Sequence, residues 1–424
     1  MGKSEIIKGG VKLGVDVAEE IMGLITGTAK KAKPKPAPKA KPRLKPGEYV
    51  RDRQRTAFPG IYERPDEIAR KAGERAAPED RALFDLFGVT RDDLYEMSKG
   101  GRSGAESIVR VPEKPRGSAA AENVMTDRNR QRIVDALGEA EKYPDLFKGM
   151  DAWYNMDPAL DRLRQISDTP EQDFLRYNTF SGMASPGSDV LTETRRGTAA
   201  RWLADQGRFD DFLRYGGNVA GKGGPADMMD IPGHPYHSTS QALPMKTYNE
   251  TGLIDMQSPK VPAYIQSSQP EALGGTWEVP VGDAHWSRAV GLGDTRGGKD
   301  FGASVSTPEL QTLLPWWQGI AGDVGLQSVP AQARAWGTFS HATGVDTPVG
   351  APKLELLARQ IMETARRRGI DPLVLRDMVL TGRASAGVAG ATVGAGLLGA
   401  DEADAAPMSP EDEMIQYLKS IEGR

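Results

Sequence analysis

Cysteine is absent from this 424-residue chain. Its absence excludes disulfides, thiolate metal ligands and cysteine nucleophiles, and it offers no sign of an oxidising compartment. We therefore expect synthesis in a reducing cytoplasm. An excess of charge of one sign is missing too, because 54 basic side chains face 58 acidic ones and leave a formal net charge of −4. Any binding to nucleic acid or to an anionic membrane must then come from a local patch.

Long apolar runs and familiar enzyme motifs are also missing. No stretch reaches the roughly 20 apolar residues of a membrane-spanning helix, and the first residues lack the pattern of a secretory signal. The chain contains no Walker loop, Rossmann glycine fingerprint, nucleophile elbow or HExxH motif. We therefore expect no nucleotide cofactor and no zinc-protease chemistry.

Glycine and proline, in contrast, are abundant, with 49 and 30 residues, while only 38% of the residues are hydrophobic. This composition favours one packed core with disordered or extended N-terminal and C-terminal arms, and the helix signals described below make the predicted fold mainly α with one helical core. The predicted segments are an amphipathic N-terminal helix at 1–28, a basic Lys/Pro linker at 29–60, a loosely ordered region at 61–125, a helical core domain at 126–382, an Ala/Gly-rich segment at 383–408 and an amphipathic C-terminal helix at 409–424.

The basic linker is the strongest local patch of charge. Residues 29–46 carry five prolines and no acidic residue, so the segment should be extended and stiff. It fits either an arm that binds DNA phosphates or a solvated spacer held open by its own repulsion. No aromatic residue lies between the charges, so base stacking is not indicated. The candidate phosphate-binding residues are Lys30, Lys31, Lys33, Lys35, Lys39, Lys41, Arg43 and Lys45.

The terminal segments suit docking. The helix predicted at 5–28 contains several glycines, each costing about 1 kcal/mol of helix propensity relative to alanine, so it should fold against a partner or lipid. Residues 384–400 are mainly Ala and Gly, which fits a helix-packing segment, a transient membrane contact or a hinge. The apolar face predicted at 409–424 would make that helix a docking peptide.

Helix signals recur through the predicted core. Pro170, Pro308 and Pro372 each follow a Thr or Asp, which is the pattern of a capped helix start. Pro315 should kink or end the second of these helices. Alternation typical of a strand is limited to 277–281. An all-helical core is therefore predicted.

The four histidines offer little for a metal. His234 and His237 lie three residues apart in the sequence GHPYH, but no third histidine or nearby acid completes a ligand set. Loop histidines that satisfy local hydrogen bonds explain the pair more simply. We expect neither a metal site nor another cofactor.

Residues 257–292 carry a more specific pattern. Pro-Lys at 259–260 opens a helix-like run, and Val-Pro-Val at 279–281 precedes Asp283. The stretch resembles helix-hairpin-helix DNA glycosylases, and the resemblance implies that Lys260 is the lysine nucleophile and Asp283 the catalytic aspartate. The sequence departs from that family at 255–258, where a Gly-x-Gly turn is expected, and at Gly282, which is inserted before the aspartate.

The same resemblance implies roles for the flanking residues. His285 and Arg288 follow the aspartate, and Tyr264 or Trp286 would lie near a base flipped out of the duplex. A purely structural alternative is that Lys260 caps a turn and that the aspartate caps the helix starting near Ala284.

A second resemblance covers about 190 residues. Segments 178–190, 259–266, 281–292, 329–345 and 350–361 resemble an uncharacterised family of bacteriophage proteins that are virion-associated or polyvalent components. The tail LLGADEADAAP resembles tails of phage internal virion proteins. This resemblance implies a protein located in the virion and supplies no catalytic residues.

The leading functional hypothesis is a phage structural or internal virion protein that acts by binding. Its partners would be packaged DNA and the portal or sibling virion proteins, and it could be ejected with the genome. The alternatives are a DNA glycosylase-like enzyme that uses Lys260 and Asp283, or a helical adaptor anchored by Trp316, Trp317 and Trp336.

Overall fold

The computed structural model describes residues 64–104, 108–109, 117–186, 188–213, 239–256, 258–292, 304–340 and 349–383. The other predicted features lie outside these ranges: the basic residues at 30–45, the terminal helices, the segment 384–400, and the pair His234 and His237. Among the described residues, no helix combines the length and apolar character needed to cross a membrane.

The protein is mainly helical, as predicted. Within the described ranges, strand-like pairing is limited to two isolated bridges, Ala76 with Val349 and Ser103 with Thr276, so the strand predicted at 277–281 does not form. A short 3₁₀ helix spans Glu271–Leu273. The α-helices are α1 (Pro65–Glu74), α2 (Arg81–Phe87), α3 (Arg91–Ser98), α4 (Ala119–Glu122), α5 (Asp127–Ala140), α6 (Pro144–Asp151), α7 (Asp157–Ile166), α8 (Pro170–Ala184), α9 (Val190–Asp205), α10 (Thr239–Thr251), α11 (Lys260–Ser268), α12 (Ala284–Ala289), α13 (Thr307–Asp323), α14 (Ser328–Phe339), α15 (Lys353–Arg368) and α16 (Pro372–Thr381).

The proline signals place three helix starts correctly. Pro170 and Pro372 are the first residues of α8 and α16, and Pro308 is the second residue of α13. A proline in the first turn loses nothing, because its missing N–H would have no intrahelical partner there. Gly369 ends α15 with φ of 65°, a left-handed conformation that glycine adopts without steric cost.

Pro315 does not end its helix. The chain remains helical through Asp323. The ring of Pro315 is exposed, while Leu313 and Trp317 on either side are completely buried. An internal proline costs about 3 kcal/mol, but burying large apolar side chains of this kind returns about 1.5–3 kcal/mol each. Packing of α13 against the core therefore outweighs the proline.

The packed core begins well before the predicted boundary at 126. Helix α1 buries Ile68, Ala69 and Ala72, and it packs against α5 and α14. The region 61–125 was expected to be loosely ordered because it is rich in Arg, Gly and Pro. Its few apolar residues nevertheless fall on single helical faces, and that spacing is enough to bury them.

The tryptophans proposed as adaptor anchors belong to the core or pack against it. Trp317 is fully buried, and its ring lies edge-on to Trp286 with centroids 5.3 Å apart. Trp316 and Trp336 are partly buried against the same apolar cluster. These side chains stabilise the fold, so the adaptor hypothesis loses the features that motivated it.

Candidate functional site

The structure places Lys260 and Asp283 at the starts of two helices. Lys260 is the first residue of α11 and is half-buried. Asp283 is the residue before α12, and its carboxylate accepts a hydrogen bond from the backbone N–H of Trp286 at 2.7 Å. The structural alternative is therefore observed for Asp283, which caps its helix. A cap leaves a second carboxylate oxygen available for other contacts.

The amine of Lys260 is free of such ties. Among the described residues it makes no hydrogen bond and no ion pair. The structural alternative for this residue, a lysine that caps a turn, is not observed there. An amine that has no partner of its own is available to react with a ligand.

His285 lies within electrostatic reach of both predicted catalytic residues. Burial lowers the pKa of its imidazole, and the charge of Asp283 opposes that change. Arg288 and Lys260 both act on the same imidazole and lower its pKa further. The Nδ1 atom of His285 is buried and has no hydrogen-bond partner among the described residues.

A buried carboxylate, which the sequence analysis did not identify, lies within electrostatic reach of Lys260. Glu193 on α9 is 2% exposed, and its carboxylate accepts a hydrogen bond from the hydroxyl of Tyr264. The amine of Lys353 is 3.1 Å from the same carboxylate oxygen. Burial raises the pKa of Glu193, and the charges of Lys353 and Lys260 oppose that change. We call Glu193, Tyr264 and Lys353 the Glu193 triad.

Lys353 is held in place by a close contact between backbones. It is 1% exposed at the start of α15, and its backbone N–H donates to the carbonyl of Trp153 at 3.3 Å. The preceding turn contains Gly350 with φ of 88°, and it packs directly on Gly149 of α6. A Cβ atom at Gly149 would lie 1.4 Å from the Gly350 carbonyl oxygen, so only glycine fits there. The register of α15, and with it the place of Lys353, follows from this contact.

Tyr154 connects the triad to the His285 side of the site. Its hydroxyl donates to the side-chain carbonyl of Gln332 at 3.2 Å, and its ring lies edge-on to Tyr264 with centroids 5.8 Å apart. Burial raises the pKa of Tyr154 well above its usual value, and the negative charges of Asp283 and Glu193 add to that effect. The tyrosine is therefore neutral at physiological pH and serves as a hydrogen-bond donor.

Two residues predicted to lie near a flipped base have other partners. The ring of Trp286 is completely buried against Trp317 and belongs to the core. Tyr264 is 8% exposed, and its hydroxyl is engaged by Glu193. Neither side chain is free to stack on a ligand in this conformation.

A cavity among the described residues lies away from Lys260 and Asp283, and its charged lining residues are paired with each other or with neighbours. It has a volume of about 440 Å³, and its lining includes Tyr95, Glu141, Asp151, Trp277, Gln327 and Arg334. Arg334 donates to both carboxylate oxygens of Asp151 and to Glu141, so the main cation of this cavity is already satisfied. We therefore interpret this cavity as a feature of the fold and not as a functional site.

No metal centre accompanies the candidate site in the part of the chain that the structure describes, because no group of three or more His, Asp or Glu side chains is arranged to hold an ion there. Comparisons of the chain with family models, with curated proteins and with solved structures find no match.

Proposed function

We propose that the helical body is a DNA-processing enzyme of the helix-hairpin-helix glycosylase type, with Lys260 as the nucleophile and Asp283 as the stabilising carboxylate. The observation that carries the proposal is an amine, Lys260, at the start of α11 that has no hydrogen-bond or ion-pair partner among the described residues. The charges of both Lys260 and Asp283 reaching His285 support it. An available amine and a carboxylate in one place are the two groups that this chemistry needs.

The reaction balances with these two groups. The amine of Lys260 attacks the anomeric carbon C1′ of a deoxynucleotide and forms a C–N bond, while the bond from C1′ to the base breaks. The base leaves with the bonding electron pair and takes up the proton that the attacking amine loses. The carboxylate of Asp283 stabilises the positive charge that develops on the sugar as that bond breaks. The C1′–O4′ bond then breaks, which leaves a protonated Schiff base on the lysine, and O4′ takes up a proton from water.

Borohydride trapping tests this proposal. The probe is a DNA duplex with a single abasic site, whose open-chain aldehyde forms the same Schiff base with a reactive amine. Reduction converts the imine into a stable amine and leaves a covalent protein–DNA product on a denaturing gel. We expect wild type to form this product and Lys260→Ala to form about 100-fold less, a typical cost of removing a catalytic group.

Two further variants control the trapping experiment. Asp283→Asn keeps an amide that can cap α12 while it removes the charge, so it should fold normally. The abasic probe has already lost its base, so this variant should trap like wild type and lose only the release of a base from an intact nucleotide. Lys148→Ala removes a lysine whose amine lies 2.6 Å from Asp92 on another part of the surface, and it should trap like wild type. Equal trapping by wild type and Lys260→Ala would contradict the proposal, since the product would then come from another amine, such as those at 30–45.

The second candidate function is binding within a phage particle. It is favoured by residues 29–46, which carry seven lysines, one arginine and no acid. Counterion release would let this segment bind the phosphates of packaged DNA, and the terminal segments would bind the portal or other virion proteins. The segment 384–400 would then supply a transient membrane contact during ejection.

Particle composition and salt dependence test the binding role. We expect mass spectrometry of purified virions to detect the chain, and we expect its affinity for DNA to fall linearly with the logarithm of salt concentration. Replacing the eight basic residues at 30–45 with glutamine should flatten that dependence. A chain found only in infected cells and never in particles would contradict this function and leave the enzyme proposal untouched.

A further inference from the structure

We propose that Lys353, by pairing with the carboxylate of Glu193, keeps that carboxylate from pairing with Lys260. The Lys353–Glu193 ion pair then sets the charge around the reactive amine. This inference rests on the proposed function for its purpose, but the chemistry of Lys260 can be measured without DNA.

Helix geometry brings the amine and the ion pair to the same place. Lys260 and Tyr264 are four residues apart on α11, so their side chains share one face of the helix. The hydroxyl of Tyr264 reaches Glu193, and the amine of Lys353 lies 4.4 Å from the centre of the Tyr264 ring. The face of α11 that carries the predicted nucleophile is therefore the face that packs on the ion pair.

The ion pair is almost completely removed from water. Glu193 is 2% exposed and Lys353 is 1% exposed, so their charges are screened mainly by each other. In wild type, Lys260 consequently faces a neutral pair. Without Lys353, the carboxylate would be free to act as a counter-ion for the Lys260 ammonium, and an opposite charge favours the ammonium over the reactive free amine.

The other titratable groups near Lys260 and Glu193 cannot take the place of the Glu193 carboxylate. Tyr154 and Tyr177 are buried and neutral, because burial raises their pKa values. His285 and Arg288 lie on α12 and carry no negative charge, and Asp283, the residue before that helix, is unchanged in all the variants proposed below. Glu193 is therefore the carboxylate whose availability to Lys260 depends on a buried lysine.

Competitive acetylation of the native chain tests the inference. Trace acetic anhydride labels each lysine in proportion to its free-base amine, and mass spectrometry of the digest gives a rate for Lys260 relative to an exposed lysine such as Lys99. At pH 7.5 we expect Lys353→Met to label Lys260 about three- to tenfold more slowly than wild type, since tenfold corresponds to one pH unit of titration. The difference should become smaller as pH rises toward 10.5, where about half of the lysine amines with an ordinary pKa are deprotonated.

Three more variants separate charge from structure. Lys353→Arg keeps the ion pair and should label Lys260 at the wild-type rate. Glu193→Gln leaves a buried positive charge beside Lys260, so it should speed the labelling. The double variant Glu193→Gln/Lys353→Met carries neither charge and should return the rate to that of wild type. Circular dichroism at the labelling temperature checks that each variant is folded.

Several results would overturn the inference. These are a Lys260 that does not label in the native wild-type chain, a Lys353→Met effect that is as large near pH 10.5 as at pH 7.5, or labelling that is the same in all variants. If Lys353→Met does not fold, an unchanged rate in Glu193→Gln has the same meaning. Failure of borohydride trapping with the expected labelling pattern would refute the glycosylase proposal alone.

Discussion

The burial of Glu193 cannot be predicted from the residues around it in the sequence. It lies in the polar run TETRR, a pattern typical of a solvated helix surface, yet the structure buries it. Helix α9 has no well-defined apolar stripe, so spacing alone cannot tell which of its faces is internal. The sequence could not identify Glu193 or Lys353, because their pairing depends on the contact between distant helices.

Lys260 and Asp283, by contrast, stand out in the sequence through short motifs, and their catalytic roles stay predictions. A Pro-Lys at a helix start and a Val-Pro-Val followed by an aspartate are local patterns, and the structure places both residues at helix starts. The sequence could not indicate that Tyr264 and Trp286 are tied to internal partners. Aromatic residues near a motif are candidates for ligand stacking until the core around them is known.

Buried acids make the pH dependence of stability predictable. Burial raises the pKa of Glu193, Asp151 and Asp157. A carboxyl group whose folded pKa is raised gives its full contribution to stability below its unfolded pKa, near 4, and loses it as pH rises through the folded value. Each of these groups therefore lowers the free energy of unfolding between weakly acidic and neutral pH.

The double variant Glu193→Gln/Lys353→Met tests this sign. Urea unfolding at about pH 5 and about pH 8 should give a smaller loss of stability with rising pH in the double variant than in wild type. Asp151 and Asp157 remain in both proteins and serve as a common background. A loss that is equal or larger in the double variant would show that Glu193 is ionised in the native state without cost.

At the scale of the element, local chemistry predicts where helices start better than where they stop. Capping residues followed by proline place the starts of α8, α13 and α16, and Gly369 places the end of α15. These signals act on the unpaired backbone N–H and C=O groups in the first and last turns of a helix. The persistence of α13 through Pro315 depends on burial against other helices, which no local pattern contains.

The region 61–125 shows the same limit. Helices α1 to α3 are short, and helices of 7–10 residues are unstable alone in water. Their stability comes from contacts with α5, α6 and α15, which follow much later in the chain. A prediction based on composition therefore places the start of the core too late. It counts the apolar residues of 61–125 without the later helices that bury them.

At the scale of the whole molecule, one ion pair joins the beginning of the described chain to its end. Arg91 on α3 is 2% exposed, and it donates from two nitrogens to the carboxylate of Glu355 on α15 at 2.8 and 2.9 Å. Glu355 has no exposed surface, and it also accepts from Arg359. Residues 64–104 are thus tied to the core by charge as well as by apolar packing.

Removing Glu355 should destabilise the protein as a whole. Glu355→Ala leaves the Arg91 guanidinium buried without its carboxylate, a change that costs about 3–5 kcal/mol. The matched control is Glu139→Ala, which removes the partner of Lys142 in a partly exposed ion pair and should cost less than about 1 kcal/mol.

Native-state hydrogen exchange then measures how far the effect of Glu355→Ala spreads through the protein. If α1 to α3 belong to the same cooperative unit as α8, amide protection should fall by similar free energies in both regions. Protection lost in α1 to α3 alone, with α8 unaffected, would mean that the N-terminal helices open independently and that the core begins near 126 after all.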